Sequence, residues 1–278
     1  MTREEILSLS YTDFISLLKE ENRPSGGKQT IRLIAQNAFV TPNKKVLEIG
    51  CTNGFSSIEL HRVTDCEVIG IDINENSVKN ASQRVLDYKL NPEKIKFVVA
   101  SAEKMPFDDD SFDLIICGNA LSFIQDKTSA MKEILRCLKP SGFLSMVPIW
   151  YNQEPDKTVT EAVSGVLGFN ILCTYKQDWI KFIQKNSLEL YYNKDFSFDN
   201  QTDESINQYI DSFFRQKPQL NVLESDVQEC IKERWRNIIN IFHSNLKQTS
   251  FSVMLMRKNP VEEEVELFLA HEKEVGDR

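Results

Sequence analysis

No two of the six cysteines (Cys51, Cys66, Cys117, Cys137, Cys173 and Cys230) stand close enough to form a C-x-x-C pair. Several lie inside apolar runs, where a free thiol behaves as a small core residue. Neither a zinc cluster nor a disulfide framework is expected, and a reducing, cytoplasmic setting fits best. The first ten residues, MTREEILSLS, carry charges where a signal peptide would need an apolar stretch. The longest apolar run, near residues 114–117, is far too short to span a bilayer, so no membrane segment is expected. A basic stripe is missing as well. The formal net charge is −8, and the acidic excess is concentrated at the end, in Glu262, Glu263, Glu264, Glu266, Glu272, Glu274 and Asp277. The body is nearly neutral, which argues against nucleic acid as a partner. Histidine is scarce: His61, His243 and His271 are the only three. No metal-ligand spacing, internal repeat or low-complexity tract is visible.

What is present, in 278 residues with 41% apolar content, is enough for one large α/β domain or a core carrying an inserted cap. Helical periodicity runs over 11–21 and 28–39, separated by Arg23-Pro24-Ser25-Gly26-Gly27, which must break any helix. From Lys45 the texture alternates. Strands are expected at 45–49, 67–71, 94–99, 112–117 and 143–148, and helices at 55–63, 75–88 and 127–138. That alternation means βαβ units and a mostly parallel sheet. Beyond Trp150 it stops: 151–187 and 201–246 read mainly as helix, with strands at 188–198 and 250–256. The acidic tail reads as an exposed helix or a frayed end.

The sharpest local signal is Val46-Leu47-Glu48-Ile49-Gly50-Cys51-Thr52-Asn53-Gly54-Phe55, a strand running through a two-glycine turn into a helix. Such a turn lets a ligand approach the backbone and aims free N–H groups at it. A dinucleotide fingerprint would need glycine at Thr52 and Phe55 and fails at both. Asp72 closes the next strand on the edge where open α/β sheets bind ligands. Its carboxylate suits a bidentate contact to two ribose hydroxyls, or alternatively a cap for the following helix. Three further stretches follow: Ala100-Ser101-Ala102-Glu103-Lys104-Met105-Pro106-Phe107, Cys117-Gly118-Asn119-Ala120-Leu121, and Leu135-Arg136-Cys137-Leu138-Lys139-Pro140-Ser141-Gly142-Phe143.

Taken in order, from residue 45 to about 149, these stretches resemble the class I S-adenosylmethionine-dependent methyltransferases. Thr52 stands for the middle glycine of that family's first motif, Ser101 for an aspartate, and Ser141 for a glycine. The resemblance implies a Rossmann-like, seven-stranded, mostly parallel sheet with an N-terminal helical lid (1–40) and a cofactor core (41–150). A helical cap with the last strands (151–259) and an acidic tail (260–278) would follow. It implies S-adenosylmethionine as cofactor, with Glu48, Gly50, Cys51 and Gly54 at the turn beside its methionine part. Asp72 would hold the ribose, with Ile73 packing near the adenine. Ser101, Ala102 and Glu103 would meet the ring's polar edge, and Asn119 would lie along the methionine moiety. Tyr11 would close on the cofactor from the lid, with Pro24-Ser25-Gly26-Gly27 as hinge.

Methyl transfer is an in-line displacement, so positioning supplies most of the catalysis and a base is needed only to free an amine or hydroxyl. His243 is the one histidine considered as that base, and no metal is expected. Residues 150–251 hold more than half of the aromatic residues. Phe169, Tyr175, Trp179, Tyr191, Tyr192, Tyr209, Phe213, Phe214 and Trp235 either line an apolar pocket or form the cap's own core. Trp150 and Tyr151, which follow the fifth strand directly, are the substrate candidates. The expected activity is methylation of an oxygen or nitrogen of a small-molecule or peptide-derived acceptor, in specialised metabolism. The alternatives are a non-catalytic cofactor-binding scaffold and a nicotinamide-dependent oxidoreductase.

Overall fold

The structure, a computed structural model, describes residues 1–258. The acidic tail, for which the sequence suggests an exposed helix or a frayed end, lies outside the described residues. The chain begins with three helices, α1 (Arg3–Ser8), α2 (Tyr11–Leu18) and α3 (Gly27–Asn37). The first is short and escapes the periodicity reading, but a capping box fixes it: Thr2 accepts the Glu5 N–H while Glu5 accepts the Thr2 N–H. Helix α2 stops at Leu18, three residues before its expected end, because Lys19 turns left-handed at φ 48° and returns its N–H to the preceding turn.

The alternating region follows as β1 (Lys45–Ile49), α4 (Phe55–Thr64), β2 (Glu67–Asp72), α5 (Glu75–Asp87), β3 (Ile95–Val99), β4 (Phe112–Cys117), α6 (Lys127–Cys137) and β5 (Leu138–Met146). Strands β3, β2, β1, β4 and β5 lie side by side in that order, all parallel. Their sequences are near-continuous apolar runs because helices cover both faces. Strand β5 starts earlier than expected: Leu138 pairs with Phe112 before a bulge brings Phe143 opposite Leu114. The order reverses between β1 and β4, which makes their carboxyl ends the crevice where such sheets take ligands.

The remainder is β6 (Ile149–Tyr151), α7 (Lys157–Leu167), α8 (Lys176–Lys185), β7 (Glu189–Ser197), α9 (Asp203–Arg215), α10 (Ser225–Leu246) and β8 (Thr249–Arg257). Strand β8 runs antiparallel and is buried along nearly its whole length. On one side its residues 254–257 pair with β5 and 249–251 with β6; on the other, β7 spans it from Ser250 to Arg257. Among the described residues eight strands therefore occupy seven ladder positions, β6 being a continuation of β5 past Val147-Pro148.

Two cores lie on the two faces of the sheet. One gathers Leu47, Ile71, Ile115, Leu144 and Trp179. The other joins α3 through Ile31 and Ile34 to Val46, Val68 and Val253. A third core stands apart: Ile6, Phe14 and Leu18 pack with Ile210, Phe213, Ile231 and Trp235. Helices α1 and α2 thus share one interior with α9 and α10, while α3 belongs to the sheet. Most cap aromatics are consumed in these interiors. Phe213 lies 5.3 Å from Trp235, and Phe14 lies 6.5 Å from it. No helix among the described residues is long and apolar enough to cross a membrane.

Candidate cofactor and acceptor site

The turn after β1 is more self-contained than its glycines suggest. Gly50 and Cys51 both donate N–H to the Ile71 carbonyl (2.8 and 3.0 Å), Thr52 donates to Asp72 Oδ2 (2.9 Å), and Gly54 donates to the Cys51 carbonyl. Four of the turn's N–H groups are therefore engaged within the fold. What the glycines supply is close approach. A Cβ on Gly50, whose φ is 73°, would stand 2.8 Å from Ala120 Cβ, so the turns after β1 and β4 touch. A Cβ on Gly54, at φ 81°, would meet the Phe97 ring at 2.7 Å and Ala81 at 2.9 Å. We expect Gly54→Ala to cost about 2 kcal/mol, from the left-handed backbone and the overpacked contact together. Urea unfolding checks this, and an unchanged midpoint would refute it.

Glu48 sits under the turn, buried, and its Oε2 accepts both the Ser57 N–H (2.9 Å) and the Ser57 hydroxyl (2.5 Å). It fixes the start of α4. Burial pushes its carboxyl up to about 7, against the opposing effect of the serine hydrogen bonds. The Cys51 and Cys117 thiols are also buried, Cys117 being pushed up to about 12 by that burial. Neither is a ready nucleophile.

At the end of β2, Asp72 bridges two turns. Besides the Thr52 bond, its Oδ1 accepts the Asn74 N–H at 2.9 Å. The cap of α5 is Asn74, through its own bond to Ser77 N–H. Asp72 therefore is not the helix cap. Ile73 beside it is 75% exposed, an apolar side chain with nothing over it. Beyond β3, Ser101 accepts the Glu103 N–H at 3.2 Å and Glu103 accepts the Asp126 N–H at 3.2 Å, while the Ala102 N–H enters no turn hydrogen bond. Asn119, past β4, accepts the Ser122 hydroxyl at 2.8 Å. The space beside Gly118 is open: a Cβ there would meet nothing within 4 Å. Gly50, Cys51, Gly54, Asp72, Ile73, Ser101, Ala102, Glu103 and Asn119 are thus gathered at one edge of the sheet.

The N-terminal helices are held onto this edge by contacts that no sequence motif announces. Asn53, fully buried, donates to the Glu20 carbonyl (2.6 Å) and accepts from Asn80 (3.0 Å). Asn22 reaches Thr52 Oγ1 (3.1 Å), Asn74 reaches Asp13 (2.8 Å), and Arg84 ties Glu21 to the Asn53 carbonyl (both 2.7 Å). Tyr11 meets Phe242 edge-on at 5.6 Å, and burial pushes its hydroxyl well up. Of the substrate candidates, Trp150 donates to Ser252 (2.9 Å) and Tyr151 donates to Asn245 (2.7 Å), so both polar groups are taken up by the wall. Burial pushes the Tyr151 hydroxyl to about 12. His243 lies in the last turn of α10. Its Nε2 is buried without a partner, and burial, with Lys247, holds its pKa down. The charges nearest to it are Lys247 and Asp203, not groups of the sheet edge. Among the described residues no cluster of histidine, cysteine or carboxylate is placed to hold a metal.

Residues 40–194 match the family model described as a methyltransferase domain, more than half of the chain. The methyltransferase GfsG of Streptomyces halstedii is 30% identical over 139 residues, which are 50% of this chain and 50% of that protein. The chain so spans half the length of this curated relative. Among solved structures, MccD protein superposes with a TM-score of 0.72 at 23% identity, covering 86% of this chain and 100% of that one. Phosphoethanolamine N-methyltransferase 2 of Haemonchus contortus, solved with phosphomonomethylethanolamine and S-adenosylhomocysteine, gives 0.68 at 15% identity, covering 91% of this chain and 61% of that one. The fold and the ordered motifs define a Rossmann-like transferase. The chain belongs to the class I S-adenosylmethionine-dependent methyltransferase family.

Proposed function

We propose that this protein moves the methyl group of S-adenosylmethionine, by in-line displacement, onto an oxygen or amine nitrogen of a small-molecule or peptide-derived acceptor. The observation that carries the cofactor half is Asp72. It is a carboxylate at the end of β2 that grips the turn after β1 and stands next to an uncovered Ile73. In this reading Asp72 takes the ribose hydroxyls, and Ile73 and the Ala102 N–H flank the adenine. Gly50, Cys51, Gly54 and Asn119 border the methionine part, with Ser101 and Glu103 at the adenine's polar edge. Glu48 acts from beneath, by holding the turn.

The acceptor enters between that edge and the helical layer shared by lid and cap, with Tyr11 on the lid side and Trp150 and Tyr151 as wall. The backbone at 24–27 is the hinge on which the lid would open. Transfer rests on placing the nucleophile opposite the S–CH3 bond, with His243 as the candidate base where an amine or hydroxyl must lose a proton. A site between this edge and the helical layer suits a small molecule or a chain terminus in specialised metabolism, in the cytoplasm, and not a nucleic acid.

The test is calorimetric titration with S-adenosylmethionine, S-adenosylhomocysteine and NAD, followed by an acceptor panel read by S-adenosylhomocysteine release. Micromolar binding of the first two and none of NAD is expected. NAD binding would turn the reading to an oxidoreductase, and cofactor binding with no turnover on any acceptor would turn it to a scaffold.

A further inference from the structure

Helix α7 carries a glycine, Gly165, in its interior, where glycine is the costliest residue short of proline. Packing does not require it: a Cβ at Gly165 would meet nothing within 4 Å, and its φ is not left-handed. Gly168, at φ 79°, is accounted for as the residue that ends the helix. The missing side chains leave a cavity of about 350 Å3, open to solvent along α7 and its exit turn and lined by the exposed Glu161, Gly165, Gly168, Phe169 and Asn170 with the half-buried Ser164. That volume is within the range of small-ligand sites.

The cavity adjoins the ligand edge. Phe169 meets Phe123 edge-on at 5.4 Å, and Phe123 stands four residues past Asn119, on the turn that leaves β4. Phe123 and Phe169 are 43% and 37% exposed, and the neighbouring Leu172 is 73% exposed, so the rim is apolar and uncovered. The Ser164 hydroxyl is already engaged, donating to the Thr160 carbonyl and accepting the Ile171 N–H. The one charged residue in the lining is Glu161, whose carboxylate pairs only loosely, at 3.7 Å, with the exposed Lys157.

We propose that this cavity is a distal subsite for the acceptor, taking an elongated apolar segment that ends in an amine. The apolar part lies along the bare strip of α7 and against Phe169, and the amine faces Glu161. The acceptor's nucleophile extends past Phe123 to the edge at Gly118. A side chain the size of leucine at Gly165 would then fill the slot, whereas a single methyl would not, and an anionic acceptor is disfavoured by Glu161. The proposal rests on the methyltransferase reading.

The test uses the full chain loaded with S-adenosylhomocysteine and titrated with 4-phenylbutylamine, read by the backbone amide resonances of Gly165, Gly168 and Asn170. Saturable shifts at these three are expected, with at least tenfold weaker binding of 4-phenylbutyrate. Gly165→Leu should abolish the shifts while S-adenosylhomocysteine binding and melting temperature are kept. Gly165→Ala, whose Cβ enters open space, should raise the melting temperature and still bind the amine. Shifts that survive Gly165→Leu, that fall elsewhere, or that are absent would overturn the subsite alone. Failure of S-adenosylhomocysteine to bind the unaltered protein would overturn the methyltransferase reading and the subsite with it.

Discussion

Replacing Asp72 by alanine is expected to lower affinity for S-adenosylmethionine about 100-fold. Each carboxylate oxygen already accepts one backbone N–H, from Thr52 on one side and Asn74 on the other, both at 2.9 Å. A carboxylate oxygen has two lone-pair directions, so each keeps one for a ribose hydroxyl. Hydrogen bonds to a charged group contribute roughly 1.5–3 kcal/mol each, and two of them, discounted for exchange with water, give about 3 kcal/mol. That corresponds to roughly two powers of ten. The alanine variant also releases the Thr52 N–H, so the turn should loosen and the loss should exceed that of Asp72→Asn. The asparagine keeps one oxygen acceptor and should fall about tenfold. Calorimetry on the three proteins decides the matter. An alanine variant that binds within threefold of the parent would remove Asp72 from the site.

Much of this edge was legible in the sequence because parallel strands write themselves as apolar runs and end in turns with few allowed residues. Gly50 and Gly54 are readable since only glycine tolerates both their left-handed φ and the closeness of Ala120, Phe97 and Ala81. The role of Glu48 was less accessible. An acid one residue before a glycine turn looks like a ligand group, and only the folded chain brings Ser57 beneath it. Asp72 could be read as a helix cap until Asn74 is seen to do that work. The Asn53, Asn80 and Arg84 latch was invisible for another reason: its partners are 27 to 64 positions apart, and neither an asparagine in a turn nor one in a helix carries a periodic signal. The capping box of Thr2 and Glu5, in contrast, was a local pattern that would have disclosed α1. The sequence separates the N-terminal helices (1–40) from the later helical region (151–259), and their common core was not legible in it. Apolar periodicity shows that α2 and α10 each bury a face, but not that they bury it against a common core.

Glu48→Gln is expected to stabilise the protein above pH 7 by up to about 3 kcal/mol. Burial raises the Glu48 carboxyl from 4.5 to about 7, and at 1.36 kcal/mol per unit this sets the upper bound. Between these two values the folded chain keeps a proton that the unfolded chain has released. Stability conferred by this group is therefore full below pH 4.5, falls as pH rises through the window, and stays low above 7. Glutamine does not ionise, so the variant should lose that decline. At pH 4.5 the two proteins should unfold within about 1 kcal/mol of one another, and at pH 8 the variant should be the more stable. Urea unfolding at the two pH values measures both, and a variant weaker than the parent at pH 8 would show that the ionised carboxylate is favourable there. The same variant separates two roles. Its amide oxygen can still accept the Ser57 N–H and hydroxyl, which lie at 2.9 and 2.5 Å from Glu48 Oε2. If Glu48 acts only by fixing the start of α4, affinity for S-adenosylmethionine should change less than about threefold, well under one hydrogen bond to a charged group. A larger loss would mean that the carboxylate, buried as it is, is sensed by the cofactor's own charge.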